Sequence, residues 1–248
     1  MSGVWIVFRR EMAGLFLTPL GWVLFLLALV VNGLYFTAFI QVTGGDVGAS
    51  LSLALGGGYP FWVIMVLLPP LLTMRMVSEE ARSGMLEFLL TAPIRDVSVI
   101  LGKALAATSF LGLLFGSNLI YALICMSLGA TLDWGHIATA MFGTVLVSAL
   151  FCSIGLVAST LTNTPLIAAF LGFFLNVVML SLRFLEGTLK GLDAGLRESL
   201  MRKVDVIAHF QSSFVRGALD TADIVFFLGW TGVFLFLATR LLEARRWW

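Results

Sequence analysis

The residues best suited to chemistry lie in one polar stretch, 78–94, which reads Ser-Glu-Glu-Ala-Arg-Ser-Gly-Met-Leu-Glu-Phe-Leu-Leu-Thr-Ala-Pro-Ile. The carboxylates of Glu79, Glu80 and Glu87 flank an apolar run, and Pro93 follows it. The pattern predicts a short helix over 80–92 that the proline ends. An exposed apolar face with flanking charges is typical of a segment that binds a protein partner, because the apolar contacts supply affinity and the charges supply orientation. The alternative is that this face packs on the chain's own helix ends.

Motifs for catalysis and metal binding are missing from the sequence. There is no GxxxxGK[ST] loop for phosphate binding and no HExxH pair for zinc. His136 and His209 have no ligand-type neighbours at metal spacing, and Cys125 and Cys152 lie in apolar runs, as small buried thiols do. The sequence therefore predicts no catalytic, cofactor or metal site in this chain.

Composition indicates a chain that lives in lipid. Of 248 residues, 60% are hydrophobic and only 12% are charged, whereas a soluble domain carries about 25% charged residues. Backbone groups in lipid must be satisfied within helices or a closed barrel, and these apolar runs are too long and too uniform for barrel strands. A net charge of +1 argues against nucleic acid as a partner. The prediction is an all-α membrane protein.

Stretches free of Asp, Glu, Lys and Arg predict six transmembrane helices. A turn signal ending in Pro165 divides the longest stretch. The Gly56-Gly57-Gly58 run is expected to be a flexible connection outside the membrane. No charged residue lies well inside a predicted span, which argues against an ion-coupled carrier. The predicted spans are 20–40, 59–78, 101–128, 137–161, 165–182 and 223–242.

Basic residues predict the orientation. They cluster before the first span, between the second and third spans, and after the sixth, whereas segments 41–58 and 129–136 contain none. Because short cytoplasmic loops are rich in Lys and Arg, both termini and segment 79–97 are expected in the cytoplasm.

Two further segments show helical periodicity outside the spans. Residues 3–16 place Trp5, Phe8, Met12 and Leu15 on one face, which predicts an amphipathic helix in the membrane interface. Residues 184–208 carry leucines at spacings of three and four, and a shorter helix is expected between His209 and the last span. The whole segment 184–222 is assigned to the side opposite the cytoplasm.

The 78–94 stretch, together with the span layout, resembles the permease family of ABC-2-type ABC transporters. Its residues match a family pattern of approximately E-R-x-x-G-T-[LI]-E-x-L-L-[ST]-x-P-[IV], with Ala81 and Met85 as departures. The C-terminal part resembles the gliding-motility-associated branch and the permeases linked to copper-enzyme maturation. The matching residues are Glu80, Gly84, Leu86, Glu87, Leu89, Leu90, Thr91, Pro93 and Ile94.

The resemblance implies a fold and a site. The fold would be of the type V exporter kind, with outer amphipathic or re-entrant helices between spans five and six. The cytosolic helix would couple the chain to an ATPase. The implied coupling residues are Glu79, Glu80, Arg82, Gly84, Met85, Leu86, Glu87, Phe88, Leu89 and Pro93. The implied extracytoplasmic gate region contains Phe210, Phe214 and Arg216.

The resemblance also implies partners and a location. Two ABC ATPase subunits would bind ATP and Mg²⁺, and a second permease copy or a related chain would complete the pore. A large membrane or periplasmic subunit is a further candidate partner, and the assembly would sit among lipids in a bacterial cytoplasmic (inner) membrane. The alternatives are an ATP-independent channel or carrier and a membrane-embedded enzyme or scaffold.

Overall fold

The computed structural model describes residues 3–85, 95–184 and 203–245. Every regular element in these ranges is helical, which confirms the predicted all-α class. A π-helical turn spans Leu53–Gly57, and 3₁₀ turns span Leu182–Phe184 and Phe214–Arg216. The α-helices are α1 (Gly3–Leu17), α2 (Pro19–Val42), α3 (Val47–Ser52), α4 (Tyr59–Thr73), α5 (Ser78–Arg82), α6 (Asp96–Gly116), α7 (Asn118–Ser127), α8 (Trp134–Leu161), α9 (Pro165–Ser181), α10 (Val206–Ser212) and α11 (Thr221–Ala244).

Five stretches within the described ranges are long and apolar enough to cross a membrane. This length and composition support the predicted transmembrane character. The predicted fifth span corresponds to α9, whose 17 residues rise about 25 Å, slightly less than a hydrocarbon core of about 30 Å. The count of six spans therefore stays a prediction. The five stretches are Gly21–Val42, Val47–Arg82, Asp96–Ser127, Trp134–Leu161 and Thr221–Ala244.

Helix α8 forms the centre of the bundle and packs against α4, α6, α9 and α11. Small residues allow the closest of these contacts. A Cβ on Gly155 would lie 2.2 Å from the Thr73 hydroxyl oxygen, and one on Gly172 of α9 would lie 3.2 Å from Pro70 Cβ. Helices in lipid associate through such close packing, because lipid tails provide no hydrophobic driving force between helices. By contrast, only 22% of the most apolar window of α2 is buried, so most of its side chains face outward.

Helix α1 covers the predicted range 3–16 and lies against α6. The packed face differs from the predicted apolar face. Val7 is buried, whereas Trp5 is half exposed and stacks on Phe8 with ring centroids 5.1 Å apart. The contact is close because Gly102 on α6 has no side chain, and a Cβ there would lie 2.7 Å from Val7 Cβ. A location in the membrane interface stays a prediction.

The apolar stretch Val47–Arg82 contains two interruptions of α-helical geometry. The first is the π-helical turn Leu53–Gly57, where Gly56 has a φ of 131°. The second is the turn 74–77 between α4 and α5, which follows Pro69 and Pro70 inside α4. The two interruptions lie at opposite ends of the bundle, and the candidate functional residues gather around them.

Candidate functional site

A cluster of four charged side chains lies where α1, α5 and α6 meet. Lys103 Nζ lies 2.8 Å from Glu11 Oε1 and 2.9 Å from Glu80 Oε2, and it also donates to the Met76 carbonyl oxygen at 2.5 Å. Arg10 pairs with both carboxylates. We call Arg10, Glu11, Glu80 and Lys103 the charged cluster, and the end of the bundle that contains it the charged end.

Lys103 is the most deeply buried member of the charged cluster, with 1% of its side chain exposed. It stands in the second turn of α6, on the face that also buries Val99, Ile100 and Ala107. A buried ammonium is stable only when it is paired and its donors are satisfied. The Glu11 carboxylate and the Met76 carbonyl oxygen accept hydrogen bonds from Lys103, and the Glu80 carboxylate adds an ion pair, so two carboxylates balance the charge of the buried ammonium.

The charged cluster changes the titration of the two groups on α1. Burial acts to raise the pKa of the Glu11 carboxyl, but Lys103 and Arg10 beside it lower that pKa below its ordinary value on balance. Burial likewise acts to lower the pKa of the Arg10 guanidinium, and its pairing with Glu11 and Glu80 outweighs this and raises the pKa. Both shifts favour the ionised forms, so the cluster is held together by charge.

The residues next to the charged cluster face outward. Glu79 is exposed and pairs loosely with Arg75 on the preceding turn, at 3.8 Å, and Met85 is 54% exposed. Gly84 adopts a φ of 74°, a left-handed conformation that favours glycine, just after the end of α5. Of the predicted coupling residues, Glu79, Glu80, Arg82, Gly84 and Met85 are thus brought together at the charged end. Leu86, Glu87, Phe88, Leu89 and Pro93 lie outside the described residues.

A groove of about 470 Å³ opens beside this segment. Leucines from α1, α2 and α4 form its apolar lining, and its charged lining comes from α1, the turn 74–77 and α5. The exposed Met85 forms part of the wall. The charged end therefore combines apolar and charged groups around one recess.

At the opposite end, two aromatic side chains enter the bundle from outside the spans. Phe210 on α10 and Phe214 in the following 3₁₀ turn are both fully buried, and their ring centroids lie 5.8 Å apart. A Cβ on Gly56 would lie 1.9 Å from the Phe210 ring, and one on Gly143 of α8 would lie 2.5 Å from the Phe214 ring. We call Phe210 and Phe214 the aromatic wedge, and this end the aromatic end. Arg216 is exposed beside it.

Polar side chains support the interrupted backbone beneath the aromatic wedge. Trp62 Nε1 donates to the Gly56 carbonyl oxygen at 3.0 Å, Gln211 Nε2 donates to that of Gly57 at 3.3 Å, and Thr144 Oγ1 donates to that of Leu55 at 3.4 Å. The expectation of a flexible glycine connection at Gly56-Gly57-Gly58 is therefore wrong. These tertiary contacts hold the segment in a fixed, buried conformation. Gly56 is needed there because it has no side chain, which lets the Phe210 ring approach the backbone.

A histidine–aspartate pair connects the wedge segment to the last long helix. His209 Nδ1 lies within hydrogen-bonding distance of Asp223 Oδ1, and its ring stacks on Phe226 with centroids 4.0 Å apart. Helix α10 begins at Val206 because Asp205 caps it by accepting from the Ala208 amide at 2.9 Å. The predicted periodic helix 184–208 is therefore interrupted at Asp205, and most of it, 185–202, lies outside the described residues.

Sequence reasoning missed Lys103 as a site residue. In the sequence it is one of several basic residues between the apolar part of span two and that of span three, and it lies near the end of a predicted span. The signal was present, because Lys103 falls within the predicted span 101–128. A lysine enclosed by an apolar run requires a partner, and Glu80 and Glu11 are the carboxylates within reach.

The charged end brings four charged side chains beside an apolar groove. In the described ranges, no group of three or more His, Cys, Asp or Glu side chains is placed to hold a metal ion. Cys125 and Cys152 are free thiols. No protein-family model matches the chain, and no curated protein matches it. The geometry of the two ends is therefore the main guide to function.

Proposed function

We propose that this chain is the membrane-spanning permease subunit of an ABC transporter of the ABC-2 type. It would couple ATP hydrolysis on a separate ATPase subunit to export or to mechanical work across the membrane. ATP and Mg²⁺ would bind to two copies of that ATPase, and a second permease copy or a related chain would complete the assembly. An additional large membrane or periplasmic subunit is a further proposed partner.

The observation that carries the proposal is the arrangement of side chains in residues 78–85, which follow the turn 74–77. On its inner side, Glu80 is fixed by the buried Lys103 and by Arg10. On its outer side, Glu79 and Met85 are exposed. A segment that receives force from a partner needs both features: an outward surface to bind the partner, and a rigid attachment to pass the displacement to the spans.

The proposed orientation places the charged end in the cytoplasm of a bacterial cell, with the helices in the inner membrane and both termini inside. The basic residues around the first and second spans support this direction. The aromatic wedge would then close the bundle on the far side, with Arg216 at its exposed edge. Six spans would result if α9, tilted little, crosses a locally thinned bilayer.

Affinity purification of the full chain in mild detergent tests the proposal. We expect an ABC ATPase to co-purify and to hydrolyse ATP. Met85→Asp should reduce the recovered ATPase about tenfold, the effect of losing a contact worth about 1.4 kcal/mol. Leu219→Asp is the matched control, because Leu219 is a similarly exposed apolar residue at the aromatic end.

Two results would overturn the proposal. One is the absence of any ATPase from the purified native chain, combined with transport or catalysis that proceeds without ATP. That outcome would favour an ATP-independent channel or carrier, or a membrane-embedded enzyme or scaffold. The other is full ATPase recovery with Met85→Asp, which would show that the segment after α5 is not the docking surface.

A further inference from the structure

The turn 74–77 between α4 and α5 leaves backbone groups without helical partners, and one side chain on α8 pairs with three backbone groups there. Lys103 and Ser78 donate to the Met76 and Met74 carbonyl oxygens as well. Ser159 Oγ accepts hydrogen bonds from the amides of Val77 and Ser78, each at 3.1 Å. The same hydroxyl donates to the Met74 carbonyl oxygen at 3.1 Å. A serine hydroxyl has one donor and two acceptor positions, so this turn uses all of them.

Ser159 is fully buried, which makes these bonds important. A buried amide that loses its acceptor pays the full desolvation penalty of the unpaired group. Water does not reach this position to replace the hydroxyl. The turn 74–77 and Ser159, which we call the joint, therefore form one unit in which the backbone of the α4–α5 connection is fixed to α8.

The position of Ser159 on α8 links the joint to the opposite end of the bundle. Ser159 lies in the last turn of α8, next to the start of the segment that carries Glu80. Near the other end of the same helix, Gly143 receives Phe214, and Thr139 Oγ1 donates to the Phe214 carbonyl oxygen at 3.4 Å. One continuous helix thus contacts the aromatic wedge at one end and the joint at the other.

We infer that Ser159 is a positioning residue that makes α5 and residues 83–85 move together with α8. This inference rests on the proposed function, because it assigns Ser159 to the coupling of the ATPase-docking segment to the spans. Ser159 itself would touch neither the ATPase nor its nucleotide. It would keep residues 78–85 in a fixed position relative to α8 by holding the backbone between α4 and α5.

Hydrogen–deuterium exchange of the purified chain tests the joint directly. In Ser159→Ala, the amides of Val77 and Ser78 should exchange about tenfold faster, since each loses its acceptor. Ser153→Ala is the matched control: Ser153 is equally buried on α8, but its hydroxyl donates only to Leu150 of its own helix, at 2.6 Å. Ser159→Cys, whose thiol is a weak donor and acceptor, should give an intermediate rate.

A second measurement on the complex with its co-purified ATPase tests the functional consequence. With Ser159→Ala, we expect the ATPase still to co-purify, while the stimulation of its hydrolysis rate by the assembled permease falls about tenfold relative to Ser153→Ala. Equal exchange of Val77 and Ser78 in the two alanine variants would overturn the joint, and unchanged stimulation would overturn its coupling role. Absence of an ATPase from the unsubstituted chain would instead refute the proposed function while leaving the exchange result to decide the joint.

Discussion

At the charged end, Lys103 is enclosed among carboxylates that belong to two other helices, whereas at the aromatic end Phe210 and Phe214 each pack closely against a glycine. Charge attraction is effective over several ångströms and allows partners to be exchanged, and Arg10 already contacts the same carboxylates as Lys103. The fit of an aromatic ring on a glycine depends on tenths of an ångström. The charged end is therefore suited to adjustment, and the aromatic end to a fixed closure.

The difference between the two ends bears on how force would pass through the bundle. Under the proposed function, the ATPase subunit displaces residues 78–85 at the charged end, where ion pairs can be rearranged without opening a cavity. The aromatic end has a tightly packed wedge, which favours two discrete arrangements over a continuous shift. Variants that separate electrostatic from packing contributions test whether the ends differ in this way.

The largest effect is expected for Lys103→Met. The substitution leaves Glu11 and Glu80 buried with Arg10 as their shared cation, and removing one partner of a buried ion pair costs about 3–5 kcal/mol. We expect a corresponding fall in the Tm of the purified chain in detergent. The double variant Lys103→Met with Glu11→Gln should recover part of the loss, because one unpaired carboxylate is removed. A further loss in the double variant would show that charge balance does not hold this end together.

The second effect tests the aromatic end. Gly143→Ala places a Cβ 2.5 Å from the Phe214 ring, and overpacking of this kind costs about 1–3 kcal/mol. In a Phe214→Ala background, which lacks the Cγ that the new Cβ approaches most closely, Gly143→Ala should cost less stability than in the native chain. Gly229→Ala is the matched control on α11, because a Cβ there meets no heavy atom within 4 Å. It should leave the Tm unchanged or slightly higher, since alanine favours a helix more than glycine does. Equal losses at Gly143 and Gly229 would contradict the wedge.

Much of the fold was predictable because lipid imposes a simple rule on the sequence. Long uncharged stretches had to become helices, and the bounds of α8 and α11 follow the predicted spans closely. The interruptions were harder to foresee. Gly56 indicated a flexible chain in the sequence, but the contact that fixes it comes from Phe210, far along the chain. A contact of that kind leaves no periodic signal near either residue.

The candidate site was predictable in part for the same physical reason. Charged residues such as Glu79 and Glu80 stand out because they interrupt an apolar chain, so local composition indicates the segment that begins with them. The roles of Lys103 and Ser159 depend on which helices become neighbours, and a single sequence does not contain that information. A buried lysine is nevertheless a warning sign, since it requires carboxylates that the rest of the chain must supply.

A pH titration sharpens the comparison with a smaller effect. Because the folded-state pKa of Glu11 lies below its ordinary value of 4.5, its stabilising contribution is present above that value and is lost as the pH falls through the depressed pKa. Between about pH 7 and about pH 3, the native chain should therefore lose more stability than Glu11→Gln, and the two should converge at the acid end. Parallel titration curves would mean that Glu11 gains nothing from Lys103 and Arg10. Gly143→Ala should follow the native pH dependence.

The smallest effect is expected for Arg75→Met, which lies within the same end as the charged cluster. The Arg75–Glu79 pair is 3.8 Å apart with both side chains more than half exposed, and such pairs contribute about 0–1 kcal/mol. The Tm should shift far less than in Lys103→Met, although each variant removes one cation beside one or two glutamates. Since the two sites are neighbours, the contrast isolates burial as the cause. A loss at Arg75 equal to that at Lys103 would show that the charged end is stabilised by its overall charge pattern, and the enclosed lysine would lose its special role.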